Sequence, residues 1–326
     1  MEAVKAPRAC ALTATVVLSL ACAQATAAPP ALPVRNGDVL YAKQLVKPTA
    51  RTLDLYANWF ADGYARRLTR TPKAHESDPA ASPDGRLLAY TRISLSRPGS
   101  QIWAVRKDGS HQRFIARGSQ PAWSPDGKRI VFVGPRRPRV SKPEIYIMRA
   151  DGTHIRRLTK NWNASDRSPA FSPDGKRIVF LSNRNATGGA GNAEIWVMDT
   201  DGRHAVNLTR NPALDDHPAW SPDGTRILFE RALDRWPWIQ IFVMNADGSD
   251  QHQVGALVGS MPTWSPDGKQ IAYLRAGDAS APFSVGNEIL RANADGTDIQ
   301  RVARIGSAWQ LPARSGIDWR VRVARK

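Results

Sequence analysis

The sequence predicts an all-β chain folded as a six-bladed β-propeller of four-stranded antiparallel blades, its ring closed by a blade shared between the two chain ends. Three observations carry this. A Ser-Pro-Asp-Gly turn occurs five times, beginning at Ser82, Ser124, Ser172, Ser221 and Ser265, at intervals of about 42 to 50 residues. Each is followed by a β-branched or aromatic run, and then by a second Asp-Gly pair at Asp108, Asp151, Asp201, Asp247 or Asp295. Self-similarity at this period belongs to propeller blades rather than to helical repeats.

One repeat shows the blade. Residues 121–123 are a short apolar strand, and Pro125-Asp126-Gly127 turns it, with Pro fixing φ and Gly supplying a positive φ. Residues 129–133 run back, 144–148 form a third strand, Asp151-Gly152 a second hairpin, and 155–158 a fourth strand. An aromatic closes the first strand at Trp123, Phe171, Trp220, Trp264 and Trp319, with Ala81 in the same slot. Burying a Trp removes about 150–250 Å² from water, an upper bound of roughly 4–6 kcal/mol, so these rings are expected between blades rather than on a ligand.

The ends supply the sixth blade. Residues 39–41, 53–58 and 66–69 read as its second, third and fourth strands, with Asp62-Gly63 as the hairpin, and 317–320 as its first strand. Such sharing would remove the open edges of the ring. The expected organisation is therefore a signal peptide over 1–27, a linker over 28–35, the propeller over 36–320 and a basic tail over 321–326.

The leader reading rests on Lys5 and Arg8 ahead of an apolar run over 9–23 and on small-residue sites ending at Ala25 and Ala27. That run is shorter than the ~18 residues of a membrane span, so a spanning segment is not expected. The expected location is periplasmic or extracellular, with lipid attachment at Cys22 as the lesser alternative. Both cysteines, Cys10 and Cys22, fall in the leader, which leaves the exported chain without disulfides.

The formal charge is +17; Lys5 and Arg8 against Glu2 give +1 over residues 1–27, so +16 stays with the rest. A balance this basic favours acidic partners. In an antiparallel blade both turn types share one face, and the loops between second and third strands share the other with the inter-blade connections. That loop face receives Lys43, Lys47, Arg51, Arg92, Arg97, Arg136, Arg137, Arg139 and Lys142, which predicts a basic arc. Trp236 and Trp238 flank a Pro in another loop and could anchor a peptide or stack on a sugar. The channel mouth is expected to be lined by His75, Glu76, Asp78, Asp166, Arg167, Asp215, Asp216, His217 and Arg314, read as hydrogen-bonded residues in preference to a metal site. No cofactor or metal is expected.

These repeats resemble the TolB-type propellers, whose blades read Pro-x-Trp-Ser-Pro-Asp-Gly, a hydrophobic strand, Ile-Tyr-x-Met-x-x-Asp-Gly and a terminal Leu-Thr. Leu68-Thr69, Leu158-Thr159 and Leu208-Thr209 keep that ending; Phe114-Ile115 and Val302-Ala303 depart from it. The resemblance spans about residues 36 to 320. Full members of the family are periplasmic, carry a separate α/β domain ahead of the propeller and dock a peptidoglycan-associated lipoprotein. Only about a dozen residues separate the leader from the first strand here, so that domain is not expected, and the resemblance implies the propeller rather than the Tol-Pal role.

Nucleophile, zinc-protease and phosphate-loop motifs are absent from the sequence. The leading expectation is an exported, monomeric, non-catalytic binding or scaffold propeller that docks an acidic protein or cell-envelope polymer on its loop face, with no specific nucleic acid. The alternative is a carbohydrate-active lyase or glycosidase at the channel mouth, for which Asp78 with His217 is the acid-base pairing the sequence offers.

Overall fold

The computed structural model describes residues 38–47, 50–59, 64–96, 99–134, 142–161, 164–184, 192–233, 239–275, 288–304 and 322–324. Among these, every regular element is a β-strand. Five blades are each made of four strands consecutive in the chain. The first is β4 (Ala74–Ala81), β5 (Leu87–Ser94), β6 (Ser100–Arg106) and β7 (Arg113–Arg117). The second is β8 (Ser119–Trp123), β9 (Arg129–Gly134), β10 (Glu144–Arg149) and β11 (Arg156–Arg157), and the third is β12 (Asp166–Phe171), β13 (Arg177–Ser182), β14 (Glu194–Asp199) and β15 (Val206–Asn207). The fourth is β16 (Leu214–Trp220), β17 (Arg226–Ala232), β18 (Ile239–Asn245) and β19 (His252–Val258), and the fifth is β20 (Ser260–Trp264), β21 (Gln270–Arg275), β22 (Glu288–Asn293) and β23 (Gln300–Arg304).

The propeller thus has five such blades, not the six expected. The chain ends combine instead in a sheet ordered β24-β1-β2-β3, from β1 (Asp38–Lys47), β2 (Ala50–Trp59), β3 (Tyr64–Arg67) and β24 (Arg322–Ala324), which packs against β4. Its edge differs from expectation because β24 pairs through Asp38, Val39 and Leu40 with Arg322–Ala324. The C-terminal strand therefore lies in the segment expected to be a tail, while residues 317–320 lie outside the described residues. A second difference is that Lys43, Lys47 and Arg51 sit on the strands of a continuous β1–β2 ladder, in register with Asp54, Ala50 and Val46, rather than in a loop.

The repeated turn is a small hydrogen-bonded device. In Ser124-Pro-Asp-Gly the Ser hydroxyl donates to Asp126 at 2.5 Å, accepts the Arg129 N–H at 2.9 Å, and the Gly127 N–H closes on the Ser124 carbonyl. The same hydroxyl pattern recurs at Ser82, Ser172, Ser221 and Ser265. At the second turn, glycine is required for two reasons. Gly202 has φ +91°, and a Cβ there would lie 2.7 Å from the Leu158 carbonyl of the preceding blade; Gly109, Gly152, Gly248 and Gly296 meet the same kind of carbonyl at 2.6–2.9 Å.

The Leu-Thr ending also has a physical cause. Thr69, Thr159 and Thr209 accept, through Oγ1, the N–H of Leu55, Ile145 and Ile195 on their own third strands. A hydroxyl replaces the ladder carbonyl, so the fourth strands β11 and β15 stop after two residues. Where the motif is lost, β7 and β19 run to five and seven residues.

The aromatic slot lies between blades as expected. Trp123, Phe171, Trp220 and Trp264 are buried, and the indole N–H groups of Trp123 and Trp264 donate to the carbonyls of Ala80 and Ala219 on the preceding first strand. Each seam is an apolar cluster drawn from two adjacent blades, such as Ala219, Leu228 and Val243 of the fourth with Trp264, Ile271 and Tyr273 of the fifth. An arginine of the preceding blade covers the ring: Arg129 over Phe171 at 5.4 Å, Arg177 over Trp220 at 4.9 Å and Arg226 over Trp264 at 4.7 Å. Trp319 lies outside the described residues.

Gly202→Ala is expected to cost more than about 1 kcal/mol in denaturant unfolding, because strain and backbone contact add. Gly127→Ala, whose Cβ would meet only Pro83 at an ordinary 3.7 Å, should cost clearly less. Equal losses would refute the seam role of the second turn.

Candidate functional site

The first strands of the first, third and fourth blades carry the residues expected at the channel mouth. Six residues before the turn Ser stand Glu76, Asp166 and Asp215 in the first, third and fourth blades, and all three are buried. Each pairs with an arginine from its second strand or the residues just after it. Asp215 takes Arg231 Nε at 2.6 Å and Nη2 at 3.0 Å, Glu76 takes Arg92 at 2.7 Å, and Asp166 takes Arg184 at 3.2 Å. The guanidinium groups lie over aromatic pairs: Arg92 over Tyr90 and Trp103, Arg184 over Phe180 and Trp196, Arg231 over Phe229 and Phe242, at 4.1–5.4 Å. Burial pushes the Glu76 carboxyl up, against the pull of Thr69, Arg92 and Thr71. Burial likewise raises the Tyr90 phenol, whose oxygen accepts from Arg92, and lowers the His75 imidazole.

In the second and fifth blades the same position is Gly118 or Gly259, where a Cβ would strike the ring of Phe132 or Tyr273 at 2.7 Å. Carboxylates there come from the third strand instead, with Glu144 on Arg157 and Glu288 on Arg275 and Arg301. The acid, arginine and aromatic spacing was present in the sequence, but only the fold shows that the acids are already engaged. Arg92 is consequently a half-buried structural residue and does not belong to the basic loop face.

Two residues further on, each inner strand carries a bulge. Asp78, Gln120, Ser168, His217 and Met261 occupy equivalent positions, all with φ between +49° and +55° and all followed by proline. Non-glycine residues in this region are strained, and repetition in five blades makes the strain a property of the architecture. The amide groups released from the ladder find side-chain acceptors. Gln120 N–H donates to Thr91 Oγ1, Ser168 N–H to Gln120 Oε1, His217 N–H to Asp216 Oδ1 and Met261 N–H to Glu230 Oε2, all at 2.6–2.9 Å.

The structure brings Asp216 and His217 together with Glu230, which the sequence reading missed. Glu230 stands nine residues after its turn Ser, where the other blades have Thr91, Val133, Leu181 and Leu274. His217 Nδ1 lies 3.0 Å from Glu230 Oε1 and 3.7 Å from Asp216 Oδ1, and Ser168 Oγ donates to Asp216 Oδ1 from the third blade. Asp78, by contrast, accepts from Ser77 Oγ in the first blade, so the expected acid-base pair with His217 joins residues three blades apart. His75 and Arg167 are partly exposed on β4 and β12.

A cavity of about 820 Å³ opens between the outer edges of the second and third blades, lined by Arg156, Arg157, Lys160, Arg184, Arg203 and Asp201 among others. Arg156 donates to the Asp201 and Thr200 carbonyls, which braces this edge. Lys142 is partly exposed just before β10, whereas Arg97, Arg136, Arg137, Arg139, Trp236, Trp238 and Arg314 lie outside the described residues. The exposed second turns hold their acids low: the hydroxyl and N–H of Ser110, Thr153, Ser249 and Thr297 lower the carboxyls of Asp108, Asp151, Asp247 and Asp295. His111, His154 and His204 end these turns at positive φ.

Removing one partner of a buried pair strands the other charge, at a cost of about 3–5 kcal/mol. Arg231→Ala should therefore unfold at markedly lower denaturant, since Asp215 is fully buried. Arg203→Ala removes an exposed contact of 3.7 Å to Asp201 and should stay within about 0.5 kcal/mol of the parent. Similar effects for the two would contradict the assignment.

A family model for the TolB β-propeller domain matches residues 55–190 and 186–303. The Tol-Pal system protein TolB of Anaeromyxobacter dehalogenans is 37% identical over 189 residues, covering 56% of this chain and 38% of that protein. The chain thus matches well under half the length of that relative. Among solved structures, TolB from Acinetobacter baumannii aligns with a TM-score of 0.68 at 20% identity, covering 89% of this chain and 67% of that one. An oligogalacturonate lyase in complex with manganese aligns at 0.59 and 14% identity, covering 86% and 85%. At these identities the structural likeness shows the fold alone. With a family model matched over more than half its length, the chain belongs to the TolB β-propeller domain family.

Proposed function

We propose that this chain is an exported binding or scaffold propeller, without catalytic function, that docks an acidic protein or cell-envelope polymer. The observation that carries the reading is the division of its basic charge. Arg92, Arg129, Arg177, Arg184, Arg226 and Arg231 are committed to aromatic rings or buried carboxylates inside the blades. The groove between the second and third blades nevertheless presents the exposed Arg156, Lys160 and Arg203 against Asp201, beside Arg157, which is held by Glu144. A surface of that sign concentrates polyanions and speeds their encounter.

The basic loop face belongs to the same proposal. Lys142, Arg136, Arg137 and Arg139 lead into the third strand of the second blade, whose fourth strand forms one wall of the groove. Trp236 and Trp238, which in the sequence fall between the second and third strands of the fourth blade, are the proposed anchors, and docking of this kind would suit a periplasmic or extracellular monomer. That the family includes a Tol-Pal protein supports envelope binding without naming the partner. The lyase or glycosidase reading rests on a shared fold, and its acid-base pair is separated by three blades.

The test is retention of poly-glutamate and of a solubilised envelope fraction on the immobilised chain at 50 and 300 mM salt, beside two variants. One changes Arg136, Arg137 and Arg139 to Ser; the other changes Lys160 and Arg203 to Ser. Retention by the parent at low salt, weakened by salt and by at least one variant, is expected. Retention indifferent to salt and to both variants would overturn the proposal, because exposed charges are screened beyond about 8 Å at physiological ionic strength.

A further inference from the structure

We propose that Asp216, His217 and Glu230 form a binding site for one divalent cation of the Mn²⁺ or Zn²⁺ type on the inner strands of the fourth blade. Each residue offers one ligand atom, and the three atoms lie within 4.8 Å of one another. Ligand atoms held by an ion through bonds of roughly 2.0–2.2 Å stand roughly 3–4 Å apart. The His217 Nδ1 separations of 3.0 Å to Glu230 and 3.7 Å to Asp216 fall in that range without rearrangement of the backbone.

The donor set selects the class of ion. Two carboxylates and one imidazole suit a transition-type cation, whereas all-oxygen sets suit Ca²⁺ or Mg²⁺. The side chains are 19%, 8% and 10% exposed for Asp216, His217 and Glu230, so the ion would sit in a largely desolvated niche with a remaining opening. Within the triad two potential negative charges face one imidazole, an arrangement that a bound cation stabilises by direct coordination.

Sequence position explains why the site arises once in the described blades. Carboxylates at both five residues before and nine residues after the turn Ser occur in the fourth blade, while the first, second, third and fifth carry Ser77 with Thr91, Ser119 with Val133, Arg167 with Leu181 and Ser260 with Leu274. The bulge brings His217 to the same point. Two neighbouring blades orient the carboxylates from outside the triad: Ser168 Oγ of the third donates to Asp216 Oδ1, and Met261 N–H of the fifth donates to Glu230 Oε2. At Glu230 the contact takes Oε2 and leaves Oε1, the atom nearest His217, for the ion; at Asp216 the Ser168 hydroxyl and the His217 N–H both hold Oδ1 and fix the plane of the carboxylate, which is the usual task of an outer shell around a metal. The ion would join three blades through one centre, independently of the outer groove.

Chelator-treated, desalted full chain is titrated with MnCl₂, with free Mn²⁺ read by electron paramagnetic resonance, and with ZnCl₂ during thermal unfolding. One Mn²⁺ bound per chain and a raised Tm with Zn²⁺ are expected. Glu230→Gln keeps an acceptor for the Met261 N–H and should weaken Mn²⁺ binding at least tenfold; Asp216→Asn should do the same if the first variant folds poorly. Asp78→Asn, at the equivalent bulge of the first blade, should bind as the parent does. No bound Mn²⁺ at millimolar concentration together with no Tm change in Zn²⁺, or parental affinity in both triad variants, would overturn the site and leave the triad as a histidine-carboxylate pair.

Discussion

The indole or phenyl ring that ends the first strand of the second to fifth blades is seated against the preceding blade, covered there by an arginine at Phe171, Trp220 and Trp264 and by Leu87 at Trp123, and the rest of the architecture depends on this contact. A blade of four short strands buries too little on its own to offset its chain entropy, so stability must come from the seams. The seam is dense because several repeated features meet there. The ring fills the core, the N–H of Trp123 and of Trp264 reaches the neighbouring inner strand, and the second-turn glycine lies against the carbonyl at the end of the previous blade. Repetition of the sequence is thus repetition of an interface.

That constraint decides how the strongly basic composition should be read. Total charge says little about partners when guanidinium groups serve as packing material. The flat face of arginine covers an aromatic ring while its edge meets a carboxylate, a combination lysine cannot reproduce. Glu76, Asp166 and Asp215, expected as hydrogen-bonded residues of the channel mouth, are buried and each braced by an arginine of its own blade. Exposed Arg156, Lys160 and Arg203 lie further out, lining the cavity between the second and third blades.

Much of the fold was legible because its signals are local. Ser-Pro-Asp-Gly specifies a turn by its own hydrogen bonds, and the strands of the second blade fall within a few residues of their expected positions. The sheet joining the chain ends was less legible, since its pairing is non-local and no turn sets its register; the pairing found uses residues 322–324 instead of 317–320. The site was harder still. Asp216 and His217 were visible as polar inner-strand residues, but Glu230 reads as one residue of an apolar second strand until the bulge places it beside them. The positive φ values before five prolines ran against the ordinary extended preference of a residue preceding proline.

The central claim is that arginine is a structural element of the seams, and a double-mutant cycle on Arg226 and Trp264 tests it most directly. Denaturant unfolding of the parent, Arg226→Ala, Trp264→Leu and the double variant isolates their interaction from the separate cost of each change. A coupling of about 0.5–2 kcal/mol, little altered by salt, is the result this account predicts. Additive losses with no coupling would show that the ring is held by apolar burial alone and that the arginine belongs to the surface.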